Sequence, residues 1–219
     1  MGIMTEEIEA LRQQRAEAPR TRATEVGARA IQNLISNGTG ENALKPGEAA
    51  PLFVLPNHNG EPVSLNELLT RGPVVISFYR GEWCPFCNLE LRALQHNYSR
   101  MQELGASLVA ISPQLPDGSL TVQERHLLEF PVLSDVGNRV AKSFGIVFRV
   151  PDDLLDVFEE RGLHLSKVNG EEGAHELPIP ATFVLRRDGT VHTAFVNADH
   201  TQRTDPDEIV RILESMTAK

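Results

Sequence analysis

Cys84 and Cys87, the two cysteines of this 219-residue chain, stand three positions apart. They follow Val74-Val75-Ile76-Ser77-Phe78-Tyr79, a β-branched and aromatic run that fits a strand buried on both faces. Pro85 sits between them, and Leu89, Leu91, Leu94, Tyr98 and Met101 then recur at roughly helical spacing. The pair therefore lies where a buried strand meets a helix N-terminus. Unpaired N–H groups and the positive end of the helix dipole stabilise a thiolate there and lower its pKa. A thiolate attacks disulfides or peroxides. A second sulfur one turn along can close an intramolecular disulfide and release the product. A structural zinc site would need four ligands. No second C-x-x-C exists, and His58, His96, His126, His164, His175, His192 and His200 form no zinc-type H-x-x-x-H pair. Two inert core cysteines are the remaining alternative, but Pro85 suits a helix start and not a packed core.

The elements that must position this pair alternate in type. Residues 51–55 read as a strand, Asn59-Gly60 as a turn, and Ser64 as a helix cap with Glu67 three residues on. Past the cysteine helix come a strand at 107–111, a helix at 118–128, an extended piece at 131–133 and a helix at 136–144. Residues 152–161 form an acidic helix and 165–178 a polar loop. A strand at 182–185 turns at Asp188-Gly189 into a partner at 191–196. Asp205 then caps a last helix with Pro206 at its first position and an acid at its third. The order predicts an α/β layer fold, with parallel strands first and an antiparallel pair at the end. Ahead of it, residues 5–36 read as helix broken at Pro19, with 41–51 as a linker.

Composition narrows the function classes. Lys plus Arg is 21 and Asp plus Glu is 30, a formal charge of −9, which disfavours nucleic-acid binding. Residues 5–36 hold five acids and five bases, so that charge belongs to the remainder. No apolar run approaches the roughly 18–20 residues of a membrane span. The first twenty residues hold Glu6, Glu7, Glu9, Arg12, Arg15 and Glu17 with no apolar stretch, so a cytoplasmic location is expected. Two cysteines cannot make a disulfide scaffold.

Trp83-Cys84-Pro85-Phe86-Cys87 after a buried strand resembles the thioredoxin active site, and Ile179-Pro180-Ala181-Thr182 resembles the proline segment that faces it. More of the chain, roughly residues 44–216, resembles the peroxiredoxins, the alkyl hydroperoxide reductase/thiol-specific antioxidant family. Pro46-Gly47 with Ala50 to Pro56 looks like that family's opening strand. Pro131 to Asp135, Val140-Ala141-Lys142 and Phe144-Gly145 match its middle segment, and Thr182 to Leu185 with Asp188-Gly189 its hairpin. The tract Phe78 to Leu91 is similar to the subgroup that carries C-x-x-C. The chain departs from the family's P-x-x-x-[TS]-x-x-C. Cys87 takes the peroxidatic position, Cys84 the Thr/Ser position and Arg80 the Pro position. Pro180 and Ala181 stand where the family often has its arginine, so Arg80 and Arg203 are the candidates to replace it.

The resemblance implies a thioredoxin-like fold, a central mixed sheet flanked by helices, over residues 44–219. Residues 1–43 are then an N-terminal helical extension, either a dimerisation arm or a cover on its own domain. It implies reduction of peroxides through a reversible Cys84–Cys87 disulfide, with electrons from a thioredoxin- or glutathione-type donor, no metal or other cofactor, and a possible homodimer. A protein disulfide reductase and a non-enzymatic redox sensor are the alternatives. Either Cys84 attacks and Cys87 resolves, or the reverse. Arg80, Trp83, Pro85, Phe86, Pro180 and Arg203 are expected to line the site, with Trp83 shielding the sulfurs and the Ile179–Pro180 bond cis. The loop Asn197 to Arg203 lines the site or simply leads into the last helix. The acids Asp152, Asp153, Asp156, Glu159 and Glu160 are expected to form a solvated helix face.

Overall fold

The computed structural model describes residues 3–217; residues 1–2 and 218–219 of the two expected domain spans lie outside the described residues. The chain opens with α1 (Ile3–Glu17) and α2 (Arg22–Ser36), then β1 (Val54–Pro56), β2 (Pro62–Ser64), α3 (Leu65–Arg71) and β3 (Val74–Phe78). The cysteine helix α4 (Pro85–Glu103) leads to β4 (Ser107–Ser112), α5 (Pro116–His126), β5 (Val132–Ser134) and α6 (Arg139–Ser143). A small excursion follows: β6 (Val147–Arg149), α7 (Asp152–Glu160), α8 (Leu165–Asn169) and β7 (Glu176–Pro178). The chain finishes with β8 (Ala181–Leu185), β9 (Val191–Val196) and α9 (Pro206–Thr217).

The central sheet has the order β5-β4-β3-β8-β9. β3, β4 and β5 are parallel, and β8 and β9 run antiparallel to their neighbours. Strand alternation divides the core. Val74, Ile76 and Phe78 face a layer with α3, α6 and the β1–β2 ribbon. Val75 and Tyr79 face α1, α4, α5 and α9. β3 is buried along its whole length because it is central and covered on both sides, which is why its sequence does not alternate. Its C-terminal end delivers the chain to Cys84.

The N-terminal helices pack on their own domain. Met4 and Ile8 of α1 enter the core beneath α4 and α9, and the Thr5 hydroxyl donates to Asp205 at 2.7 Å. α2 lies on α7, where Arg22 pairs with Asp156 and Glu160, and Arg29 with Asp153. The acidic face of α7 is exposed, but it also receives the arginines of α2.

Three local expectations need correction. The stretch 165–178 is no polar loop: it holds α8, a short 3-10 turn and β7. β7 pairs with β6 across the excursion, a long-range ladder that no local periodicity announces. Ser64 precedes α3 but makes no side-chain cap, because it is still the last residue of β2, paired with Val54. Of residues 51–55 only Val54 and Leu55 lie in β1, since pairing with β2 begins at Val54.

Candidate active site

The loop between β3 and α4 is held at every turn. The Tyr79 amide donates to Ile111 O, the Glu82 amide to Gln114 Oε1, and the Asn88 side-chain amide to Glu82 O. Gly81 has φ +147°, and a Cβ there would stand 2.5 Å from Trp83 Nε1, so only glycine lets the indole fold back over the loop. Cys84 is the N-cap of α4, Pro85 its first residue and Cys87 its third. Both cysteines are free thiols and both are buried, Cys84 at 2 % exposure and Cys87 at 0 %.

Arg203, from the loop after β9, reaches this pair. Its Nη2 donates to Cys87 Sγ at 3.5 Å, and its Nε donates to Glu90 Oε2 at 2.7 Å. Nη1 donates to the carbonyls of His200 and Gln202. The Arg203 and Glu90 side chains are 2 % and 3 % exposed. Burial resists the Arg203 charge, but Glu90 and the two sulfurs outweigh it and keep the guanidinium protonated. Burial raises the Glu90 carboxyl, while Arg203 and the Thr182 hydroxyl oppose that shift. Sequence reasoning does not single out Glu90. The available signal was an acid one turn beyond Cys87 on the same helix face, next to Leu91 and Leu94.

The two sulfurs share one proton economy. The Cys87 thiol donates to Cys84, and this brings Cys84 from 9.0 down to about 5 against the opposing effect of burial. Arg80, Arg203 and the Cys87 backbone N–H act in the same direction. Burial, then the neighbouring Cys84, pushes the Cys87 thiol well up. The negative charge of the reduced pair therefore sits on Cys84.

The other expected residues are near but do different work. Arg80 lies over the Trp83 ring at 4.7 Å and is 6 % exposed. Trp83 leans on Phe158 of α7 at 5.4 Å, so it joins the loop to the β6–β7 excursion. Phe86 is fully buried, edge-on to His200. Pro180 lies instead in a groove of about 310 Å³, lined also by Glu90, Thr182 and Arg203. Arg203 thus has one side on this groove and Nη2 on Cys87. Among the described residues no peptide bond is cis, so the Ile179–Pro180 bond is trans and not cis as expected. The Ile179 amide donates to Ile146 O at 2.7 Å, and β8 begins at Ala181. Ile179 and Pro180 form the short link from β7 into β8, where the residue before a proline favours extended backbone.

The sequence model of the AhpC/TSA family matches residues 46–194. The chain belongs to that family. Among curated relatives, a chloroplastic peroxiredoxin Q of Sedum lineare is 29% identical over 170 residues, covering 78% of each chain. Peroxiredoxin Bcp of Escherichia coli K12 is 32% identical over 105 residues, covering 48% of this chain and 67% of its own. In structure, peroxidoxin BcpB of Mycobacterium tuberculosis superposes with a TM-score of 0.62 at 24% identity, over 79% of this chain and 98% of its own. The peroxiredoxin Q of Xanthomonas campestris gives 0.58 at 18%, over 80% and 99%. These neighbours share the mixed sheet flanked by helices. The matched family segment begins at residue 46, so α1 and α2 lie outside it.

In this AhpC/TSA site the thiolate has a pH signature. The folded Cys84 value, about 5, lies below the ordinary 9.0. Between those values the unfolded chain binds more protons, so the stability of the reduced form rises with pH and is lost as pH falls through about 5. The oxidised form lacks this contribution. Chemical unfolding of both forms across this range is expected to show a reduced-minus-oxidised difference that grows with pH. A flat difference would place the proton elsewhere.

Proposed function

We propose that this chain is a thiol peroxidase that reduces hydroperoxides with electrons from a thioredoxin-type dithiol donor. The carrying observation is the Cys84–Cys87 pair at the head of α4, two free and buried thiols one turn apart, with Arg203 in contact with Cys87. The Cys84 thiolate attacks the distal peroxide oxygen. The O–O bond breaks and the distal hydroxyl passes to sulfur, so Cys84 becomes a sulfenic acid, while the alkoxide takes a proton from solvent and leaves as alcohol. Cys87 then attacks the Cys84 sulfur, losing its proton to the departing hydroxyl, which leaves as water. Two electrons have passed from the sulfurs to the peroxide. The donor's two thiols restore the pair and become a disulfide.

Ionisation alone does not make this site fast. A free cysteine is about 3% thiolate at pH 7, so full ionisation gains roughly 30-fold. Thiolate nucleophilicity falls with pKa by an exponent of about 0.4–0.5, which removes a similar factor. Acceleration must come from donors placed at the peroxide oxygens. Arg80 and Arg203 are two cations that stabilise the Cys84 thiolate.

A second assignment has its own support. Arg203 touches Cys87 directly, and Cys87 takes the peroxidatic position in the family spacing. In that reading Cys87 attacks and Cys84 resolves, with the same disulfide as product.

Stopped-flow oxidation by hydrogen peroxide, read through the single tryptophan, Trp83, tests the peroxidase reading. The second-order constant is expected to exceed that of a free thiol by at least about 10²-fold, the scale of one well-placed donor. A constant near the free-thiol value, with oxidation by disulfides intact, would instead mean a disulfide reductase or a sensor.

A further inference from the structure

More positive charge gathers beside Cys84 than peroxide chemistry uses. Arg15, in the last turn of α1, lies over the Phe86 ring with its guanidinium carbon 4.6 Å from the centroid. Arg15 is exposed to solvent, and the desolvation of its guanidinium lowers its pKa, as do Arg80 and Arg161, while Cys84 acts in the opposite sense. His200, edge-on to the same Phe86, is kept neutral by burial and then by Arg80, Arg203 and Arg15. Arg15 thus lies over Phe86 and Arg80 over Trp83, on the two residues that flank the Cys84-Pro85 step, Arg80 and Arg203 favour the Cys84 thiolate, and Arg161 adds a fourth charge beside Arg15.

Among the described residues, only Arg203 of these four has a carboxylate partner, Glu90. Glu90 and the Cys84 thiolate offset two of the charges. Once the disulfide forms, the thiolate's share disappears. Arg80 is 6 % exposed, and its Nε has no hydrogen-bond acceptor. Trp83 Nε1, under the face of which Arg80 stacks, is also buried without one. Buried donors normally have partners. Here two of them flank Cys84, both N–H groups, both beside unpaired guanidinium charge. An acceptor-only, negatively charged group satisfies both deficits, and a neutral peroxide does not.

We infer that Arg15 and Arg80 form an anion subsite beside Cys84, which holds a carboxylate carried by the small molecule that reacts there. The subsite rests on the thiol chemistry proposed above and specifies its substrate class. The carboxylate belongs either to the hydroperoxide or to a small thiol that reduces the disulfide; the recognising chemistry is the same. Arg15 comes from α1, outside the family segment, so this specificity is an addition made by the N-terminal helix. It acts against the protein's formal charge of −9, which by itself repels anions.

The test uses the full-length protein in two arms. In the first, the reduced protein is oxidised by 4-hydroperoxy-4-methylpentanoic acid and, separately, by its methyl ester. In the second, the oxidised protein is reduced by 3-mercaptopropionate and by its amide, at equal thiolate concentration. At low salt the charged reagent is expected to react about 10-fold faster or more in at least one arm, with the ratio falling towards one at high salt. Arg15→Gln is expected to lower that ratio several-fold and Arg15→Lys to restore it, which a merely structural role for Arg15 would not do. A preference in the first arm places the carboxylate on the hydroperoxide, and one in the second arm on the thiol. Equal rates for charged and neutral reagents in both arms would overturn the subsite. If both hydroperoxides react only at the free-thiol rate, the peroxidase reading fails, and the second arm alone still decides the subsite.

Discussion

A Cys87→Ser protein is expected to take up one equivalent of hydrogen peroxide, hold it as a sulfenic acid on Cys84, and turn over no further. The reason is the division of labour in the pair. Cys84 carries the negative charge, because Cys87, Arg80 and Arg203 all favour its thiolate, whereas burial keeps Cys87 protonated. Serine at position 87 still offers a hydroxyl donor to Cys84 but cannot close a disulfide. Cys84→Ser removes the ionised sulfur and leaves a fully buried thiol, and its oxidation is expected to be slow. Steady-state turnover should fall in either variant by roughly 10³-fold or more, as loss of a nucleophile does elsewhere. Trapping the sulfenic acid with a carbon nucleophile and locating it by mass spectrometry makes the assignment. Fast oxidation of Cys84→Ser, with the trapped oxygen on Cys87, would reverse the roles and make the Arg203–Cys87 contact the deciding one.

The second large effect concerns Arg203 and Glu90. Both side chains are almost wholly buried and they pair at 2.7 Å. Removing one member of such a pair costs about 3–5 kcal/mol, because the other is left charged and unpaired. Glu90→Gln should therefore destabilise strongly, since Arg203 stays protonated. Arg203→Met should cost less than Glu90→Gln, since burial already raises Glu90 towards its neutral form. Replacing both at once, Arg203→Met with Glu90→Gln, removes the buried charges together and should recover much of the stability. The rate should not recover. Without the guanidinium on Cys87, peroxide oxidation should drop by about 10²–10³-fold. Denaturant unfolding and stopped-flow kinetics on the three variants separate these effects. A double variant that is both stable and fast would show that Arg203 holds the fold and contributes nothing to the chemistry.

Much of this site was legible because it is local. A buried strand, a proline and two cysteines at a helix start are contiguous, so sequence order alone places the thiols on a dipole. The hairpin at Asp188-Gly189 and the Asp205 cap are local in the same way, and Asp205 Oδ1 accepts from the Asp207 amide as expected. The errors share a different origin. β6 and β7 are three residues each and exist through pairing with each other across an excursion. The Ile179–Ile146 hydrogen bond that carries the chain past Pro180 into β8 likewise joins residues far apart in sequence.

Sequence by itself determined the chemistry available: two thiols one turn apart at the head of a helix, in a chain without zinc-type ligand spacing. It determined the succession of strands and helices too, because strand and helix periods are short-range properties of the chain, whereas the spatial order β5-β4-β3-β8-β9 is set by pairing between distant segments. Tertiary structure decided which charges act on those thiols. Arg80 was adjacent and turned towards Trp83. Arg203, more than a hundred residues away, reached Cys87, and Glu90 locked it there. Arg15 arrived from a helix outside the family segment. Electrostatic effects depend on distance and burial, and both are set by how separate elements pack, not by the order in which they are written.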